Sequence, residues 1–251
     1  MDVNEDSTWP SVTELVNYAL APEDPAQKRV YARLRRAHAA DPDKGREIFL
    51  KLLRNPLSRV REFAVSAGKK FGGPELIGSL PDLLDDPNLS VQETAMQALG
   101  NVAPDLLRAR ADVLRRKFTE WRGYDDNDPI IHLAWIAVKL DMPELVSEVR
   151  RISEDQTFHS GDRRQAAVWV AYLERGPAEI LRRIEEHDHD NILDLCRLAW
   201  MKGLPGARAA YERCADRAPD EKCGKWCGLF AAKAAEAEAA GEPLSAWPRP
   251  V

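Results

Sequence analysis

Pairs of basic residues recur along this chain, at Arg35-Arg36, Lys69-Lys70, Arg115-Arg116-Lys117, Arg150-Arg151, Arg163-Arg164 and Arg182-Arg183. With Arg108 and Arg110 added, residues 108–117 hold five positive charges and one aspartate. Such side chains bind phosphate or carboxylate, and a ladder of them on one face would track an extended anion. Many also have a carboxylate at helical spacing, Glu179 for Arg182 or Arg183 and Asp112 for Arg115 or Arg116. Several sit near helix C-termini, where positive charge is favoured for local reasons. The spacing therefore reads first as ion-paired, solvated helix faces and second as an anion site.

Two further groups could do chemistry. The segment FTEWRGYDDNDP (118–129) gathers Trp121, Tyr124 and four acids, Asp125 among them, between helical stretches. Its aspartates read most simply as a turn and N-cap cluster. In the last third lie all four cysteines, Cys196, Cys214, Cys223 and Cys227, with His187 and His189 nearby. Cys223-x-x-x-Cys227 puts two thiols on one helical face, but zinc-type spacing is missing and the pattern is no disulfide framework. Buried, unreactive thiols and no metal are the expectation. No Gly-rich phosphate loop or nucleophile elbow is present.

The elements that would position these residues are helices. Apolar residues repeat with helical period from Ser11 to about Ala240, and most connections carry Pro or Gly, as at Asn55-Pro56, Asp86-Pro87, Met142-Pro143 and Gly176-Pro177. Proline ends one helix and pre-sets the first turn of the next. Fourteen helices are predicted, among them 57–71, 74–85, 88–101, 104–120 and 143–154. The pattern also recurs. Asn55-Pro56-x-x-x-Val60-x-x-x-Ala64 returns 31 residues later as Asp86-Pro87-x-x-x-Val91-x-x-x-Ala95. Trp135 and Trp169 are 34 residues apart, as are Pro143 and Pro177, and Trp200 continues the series. Two helices per 31–34 residues mark an α-solenoid. Trp at regular spacing on an apolar face is expected to pack between repeats.

The stretches 52–72 and 80–102 resemble HEAT repeats: a first helix ending in Leu-Leu, an Asp/Asn-Pro turn, then a helix with Val and small Ala residues. The resemblance is specific over 52–102 and looser from 104 to 217. It implies an all-α, right-handed α-solenoid of about six to seven HEAT-like helix pairs. The expected organisation is a disordered segment 1–10, one solenoid domain 11–240 and a tail 241–251. Similarity to the HEAT-like AlkD-type alkylpurine DNA glycosylases would put Trp121 and Asp125 at a catalytic centre, with Arg115 and Arg116 on phosphates. The chain has no His-Glu dipeptide, unlike the iron-binding HEAT-like hydroxylases of deoxyhypusine.

Composition narrows the classes. A net charge of −5 from 36 basic and 41 acidic residues announces no nucleic-acid binder, although local clusters could still bind one. The acidic N-terminus is no secretory signal, and no stretch reaches the ~20 apolar residues of a membrane span. The expectation is a cytoplasmic, non-enzymatic binding module without a cofactor, whose partner is a protein. A nucleic-acid ligand is the alternative. The surface expected to bind comprises Arg115, Arg116, Trp121, Tyr124, Asp125, Arg150, Arg151, Arg182 and Arg183.

Overall fold

The computed structural model describes residues 8–22, 25–71, 73–121 and 128–244. These form fifteen α-helices and two short 3-10 segments, with no strand among the described residues. The chain divides into two compact units, Met1–Val113 and Leu114–Val251. No described helix is long and apolar enough to cross a membrane.

The first unit contains α1 (Val12–Leu20), α2 (Pro25–Ala40), α3 (Pro42–Leu52), α4 (Ser58–Phe71), α5 (Gly73–Ser79), α6 (Leu89–Val102) and α7 (Pro104–Arg108). Helix α8 (Ala111–Glu120) carries the division point. The second unit continues with α9 (Asp128–Lys139), α10 (Val146–Glu154), α11 (Ser160–Arg175), α12 (Pro177–Glu185), α13 (Ile192–Met201), α14 (Ala207–Arg217) and α15 (Glu221–Ala239). Two predicted helices are interrupted. The 74–85 stretch is α5 followed by a 3-10 segment, Leu80–Asp85, that starts beside Pro81, a residue with no N–H to donate. The 104–120 stretch breaks into α7 and α8, with Ala109 N–H bonding back to Asp105 and Arg110 N–H to Leu107. Residues 143–154 likewise open with a 3-10 segment, Pro143–Leu145, ahead of α10.

Helix starts carry local caps. Ser11 and Glu14 form a reciprocal capping box on α1. Asp41 accepts from Lys44 N–H, Asn88 from Val91 N–H, and Asp220 from Cys223 N–H. Helix ends close with left-handed residues. Asp141 (φ 53°), His187 (φ 56°) and Gly203 (φ 57°) each precede a residue whose N–H reaches back to the last turn: Met142 to Ala137, Asp188 to Arg183, Leu204 to Ala199.

Packing follows the repeat. In the first unit α3 lies against α4, and α4 against α6. In the second, α10 pairs with α11, α12 with α13 and α14 with α15, while α11, α13 and α15 each contact the next-but-one helix before them. Val60, Ala64 and Ala67 on α4 and their counterparts Val91, Ala95 and Ala98 on α6 are all buried. The Ala residues let the two helices approach closely, which is why the recurring motif needs small residues there. Trp169 and Trp200 are 3% and 1% exposed, and Trp135, half-buried, lies 6.1 Å ring to ring from Trp169. This Trp series is interior packing.

One expectation is corrected. Cys214 and Cys227 are joined in a disulfide. The eye-catching Cys223–Cys227 spacing within one helix is not the bonded pair. Helix α14 packs along α15 and brings the Cα atoms of Cys214 and Cys227 to 5.9 Å, within the normal disulfide span.

Candidate binding groove

A groove of about 830 Å³ lies in the first unit between α1, α2 and α4. Tyr18 comes from α1, Tyr31 from α2, and Arg59, Glu62, Phe63 and Ser66 from α4. The three rings are half-buried. Tyr18 stacks on Tyr31 at 6.0 Å and 20°, and tilts onto Phe63 at 5.3 Å. Behind them the rings of Phe49 and Phe71 continue the cluster towards His38 and Trp9. The groove thus has a floor of contacting, half-buried aromatic rings.

Local sequence explains how the floor is held. Phe63, Ala67 and Phe71 fall at i, i+4 and i+8 on α4, one stripe of that helix. Trp9 donates its indole N–H to the Asp41 carbonyl at 3.0 Å, at the start of α3. Its ring packs where Gly45 has no side chain: a Cβ there would lie 2.5 Å from the Trp9 ring and 2.6 Å from the Phe71 carbonyl. Glu14 is held by Arg33 of α2 and by Ser11, so α1 is clamped to α2 one turn before Tyr18. Those contacts pull the Glu14 carboxyl down to about 2 from an ordinary 4.5, the Arg33 hydrogen bond first and the Ser11 backbone N–H next.

At the rim stand Arg59, exposed, and Glu62, half-buried, three residues apart on α4. Neither has an ion-pair partner among the described residues. The groove therefore offers flat apolar area bordered by one positive and one negative group.

The basic doublets are placed differently. Arg115 donates to the Glu144 carbonyl at 2.8 Å and lies 3.4 Å from the buried Glu148 carboxylate. Arg116 pairs with Glu120 at 3.0 Å. Arg150 pairs with Glu174, and Arg183 with Asp188. Arg182 is gripped by Glu179 and Glu186, which raise its pKa, while Glu179 is lowered by Arg182 in turn. Arg151 is exposed and borders a cleft of about 80 Å³ with Phe118 and Glu148. Most of these guanidinium groups are thus turned to carboxylates of their own chain. Trp121 is 3% exposed and presents no stacking face, and Tyr124 and Asp125 lie outside the described residues. Among the described residues no group of three His, Cys, Asp or Glu side chains is arranged to hold a metal ion.

The groove is not legible in the sequence because its rings come from three helices at unequal spacings. The usable signal was the Phe63–Phe71 stripe, which puts aromatic rings at positions where the next repeat, at Thr94 and Val102, has none. Compared with protein-family models, with curated proteins and with solved structures, the chain finds no match.

Proposed function

We propose that this chain is a HEAT-like, right-handed α-solenoid of about six to seven helix pairs that acts as a non-enzymatic binding module for a protein partner. Hairpin-on-hairpin packing and the buried Val/Ala repeat positions support the architecture. The observation that carries the function is the open aromatic groove of Tyr18, Tyr31 and Phe63 flanked by Arg59 and Glu62. Aromatic area of this kind anchors protein interfaces, and the two rim charges set orientation. The segment it suits carries an apolar or aromatic side chain between an acidic and a basic residue. Arginines already paired with carboxylates support a protein ligand over a polyanion, because each would have to give up a partner to take a phosphate.

The test places a benzophenone photo-cross-linker at Ser66 of the full chain in its native host, with nuclease treatment as one arm. A nuclease-resistant protein adduct is expected. The purified partner should bind the Arg59→Glu chain at least about tenfold more weakly, the size of effect a lost charge pair in an interface produces. Loss of the adduct on nuclease treatment overturns the reading, and so does equal affinity of the Arg59→Glu and unsubstituted chains.

A further inference from the structure

Four cysteines in the second unit come from three packed helices: Cys196 on α13, Cys214 on α14, and Cys223 and Cys227 on α15. All four are fully buried. Cys214 and Cys227 share the disulfide, which ties α14 to α15. A third sulfur stands beside it: Cys196 Sγ is 3.9 Å from Cys227 Sγ. On the other side of the bond, His187 Nδ1 is 3.5 Å from Cys214 Sγ. His187 occupies the left-handed position that closes α12, so the backbone bonds of that turn fix where its ring begins. Its side chain is only half-buried and so connects the sulfurs to solvent.

We propose that Cys196, Cys227 and Cys214 form a thiol–disulfide exchange centre in which the bond moves between Cys214–Cys227 and Cys196–Cys227, with His187 serving the sulfur that leaves. Cys196 loses its proton and its sulfur attacks Cys227 Sγ. The Cys196–Cys227 bond forms as the Cys214–Cys227 bond breaks. The electron pair stays on Cys214, which takes a proton from the adjacent His187 imidazole; the half-buried ring regains one from solvent while the proton given up by Cys196 is released, so protons balance. No electron enters or leaves, so the step needs no outside oxidant or reductant. Burial and the neighbouring Cys223 push the Cys196 thiol up, which keeps its thiolate scarce and slows the exchange. The consequence is mechanical. The staple moves from α14–α15, which are consecutive, to α13–α15, which belong to successive hairpins.

The experiment equilibrates the full chain in a mixture of reduced and oxidised dithiothreitol, quenches it with acid, alkylates free thiols in denaturant and maps disulfides by non-reducing peptide mass spectrometry. The unsubstituted chain is expected to yield Cys214–Cys227 as the main cross-link and Cys196–Cys227 as a second one. The Cys214→Ser chain should yield Cys196–Cys227 as its main cross-link, and the Cys196→Ser chain only Cys214–Cys227. Full alkylation of Cys196 in the Cys214→Ser chain, with helicity retained by circular dichroism, overturns the proposal. If that variant does not fold, the unsubstituted chain decides: absence of any Cys196–Cys227 cross-link overturns it as well.

Discussion

The two units tie successive hairpins together by charge, but at opposite ends of the helix. In the first unit Arg61, in the first turn of α4, reaches Asp86 in the turn before α6. It makes two hydrogen bonds of 2.7 Å to the carboxylate and two more, at 2.8 and 2.9 Å, to the Asn55 and Pro56 carbonyls. Its side chain is 11% exposed and that of Asp86 3%. In the second unit the tie sits after the helix. Lys202, at the end of α13, reaches the end of α9 and bonds Asp141 at 2.7 Å and the Lys139 and Val138 carbonyls at 3.2 and 3.3 Å. Tyr172, at the end of the intervening α11, donates to the same Asp141 at 2.6 Å and lies under the Lys202 ammonium. Here Asp141 is 58% exposed. The first tie is dry and bidentate, and it links two proline turns. The second is half-wet and shared, and it links three helix ends. The two units thus place their polar connections at opposite ends of their helices.

That contrast predicts unequal costs. Removing one member of the dry pair strands a buried charge, so Asp86→Ala should cost about 3–5 kcal/mol in urea unfolding. Arg61→Met should cost a similar amount and also leave the Asn55 and Pro56 carbonyls without their donor. In the double variant the stranded charge disappears. The cycle should therefore show a coupling of about 2–3 kcal/mol. Additive single changes would mean that this pair is no tie, and the difference between the units would collapse.

The half-wet tie should cost less. Lys202→Met removes one charged hydrogen bond and two to carbonyls, but Asp141 is open to water and keeps Tyr172. A loss of about 2 kcal/mol is expected, in the range of a hydrogen bond to a charged group. Asp141→Gly is the sharper variant. Glycine suits the φ of 53° better than aspartate, which offsets part of the lost bonding, so it should destabilise less than Lys202→Met. Equal or larger loss in the glycine variant would show that the carboxylate, and not the lysine, is the centre of the tie.

These ties also mark where the sequence stopped being readable. Val60 and Val91 were legible because the repeat spaces them at a fixed interval and each needs only its own helix to be seen. Trp169 and Trp200 were legible for the same reason. Arg182 with Glu179 was legible as a one-turn pair, whereas Arg115 turned to Glu144 and Glu148, some 30 residues on, by way of packing that no local pattern encodes. Arg61 stands next to the repeat's Val60, yet its partner is fixed only when one hairpin stacks on the next. Lys202 and Asp141 are 61 residues apart. Cys214 and Cys227 were obscured by the closer Cys223–Cys227 spacing, and the groove rings by their origin on three helices.

The smallest predicted effect tests whether the groove in the first unit is held by titratable contacts. Glu14 joins α1 to α2 through Arg33 and caps α1 through Ser11, and its folded pKa is depressed to about 2 against 4.5. A depressed carboxylate contributes stability that is fully present above the unfolded value and is lost as pH falls from about 4.5 towards 2. The side chain is 42% exposed, so solvent screening holds the contribution to about 1 kcal/mol at most. Hydrogen exchange of residues 12–20, corrected for the intrinsic pH dependence, should therefore accelerate on acidification in the unsubstituted chain. In the Glu14→Gln chain the same segment should start faster at pH 5 and change little. If both chains show the same acid slope, the charge on Glu14 does not hold α1 to α2, and the floor of Tyr18, Tyr31 and Phe63 rests on its ring contacts alone.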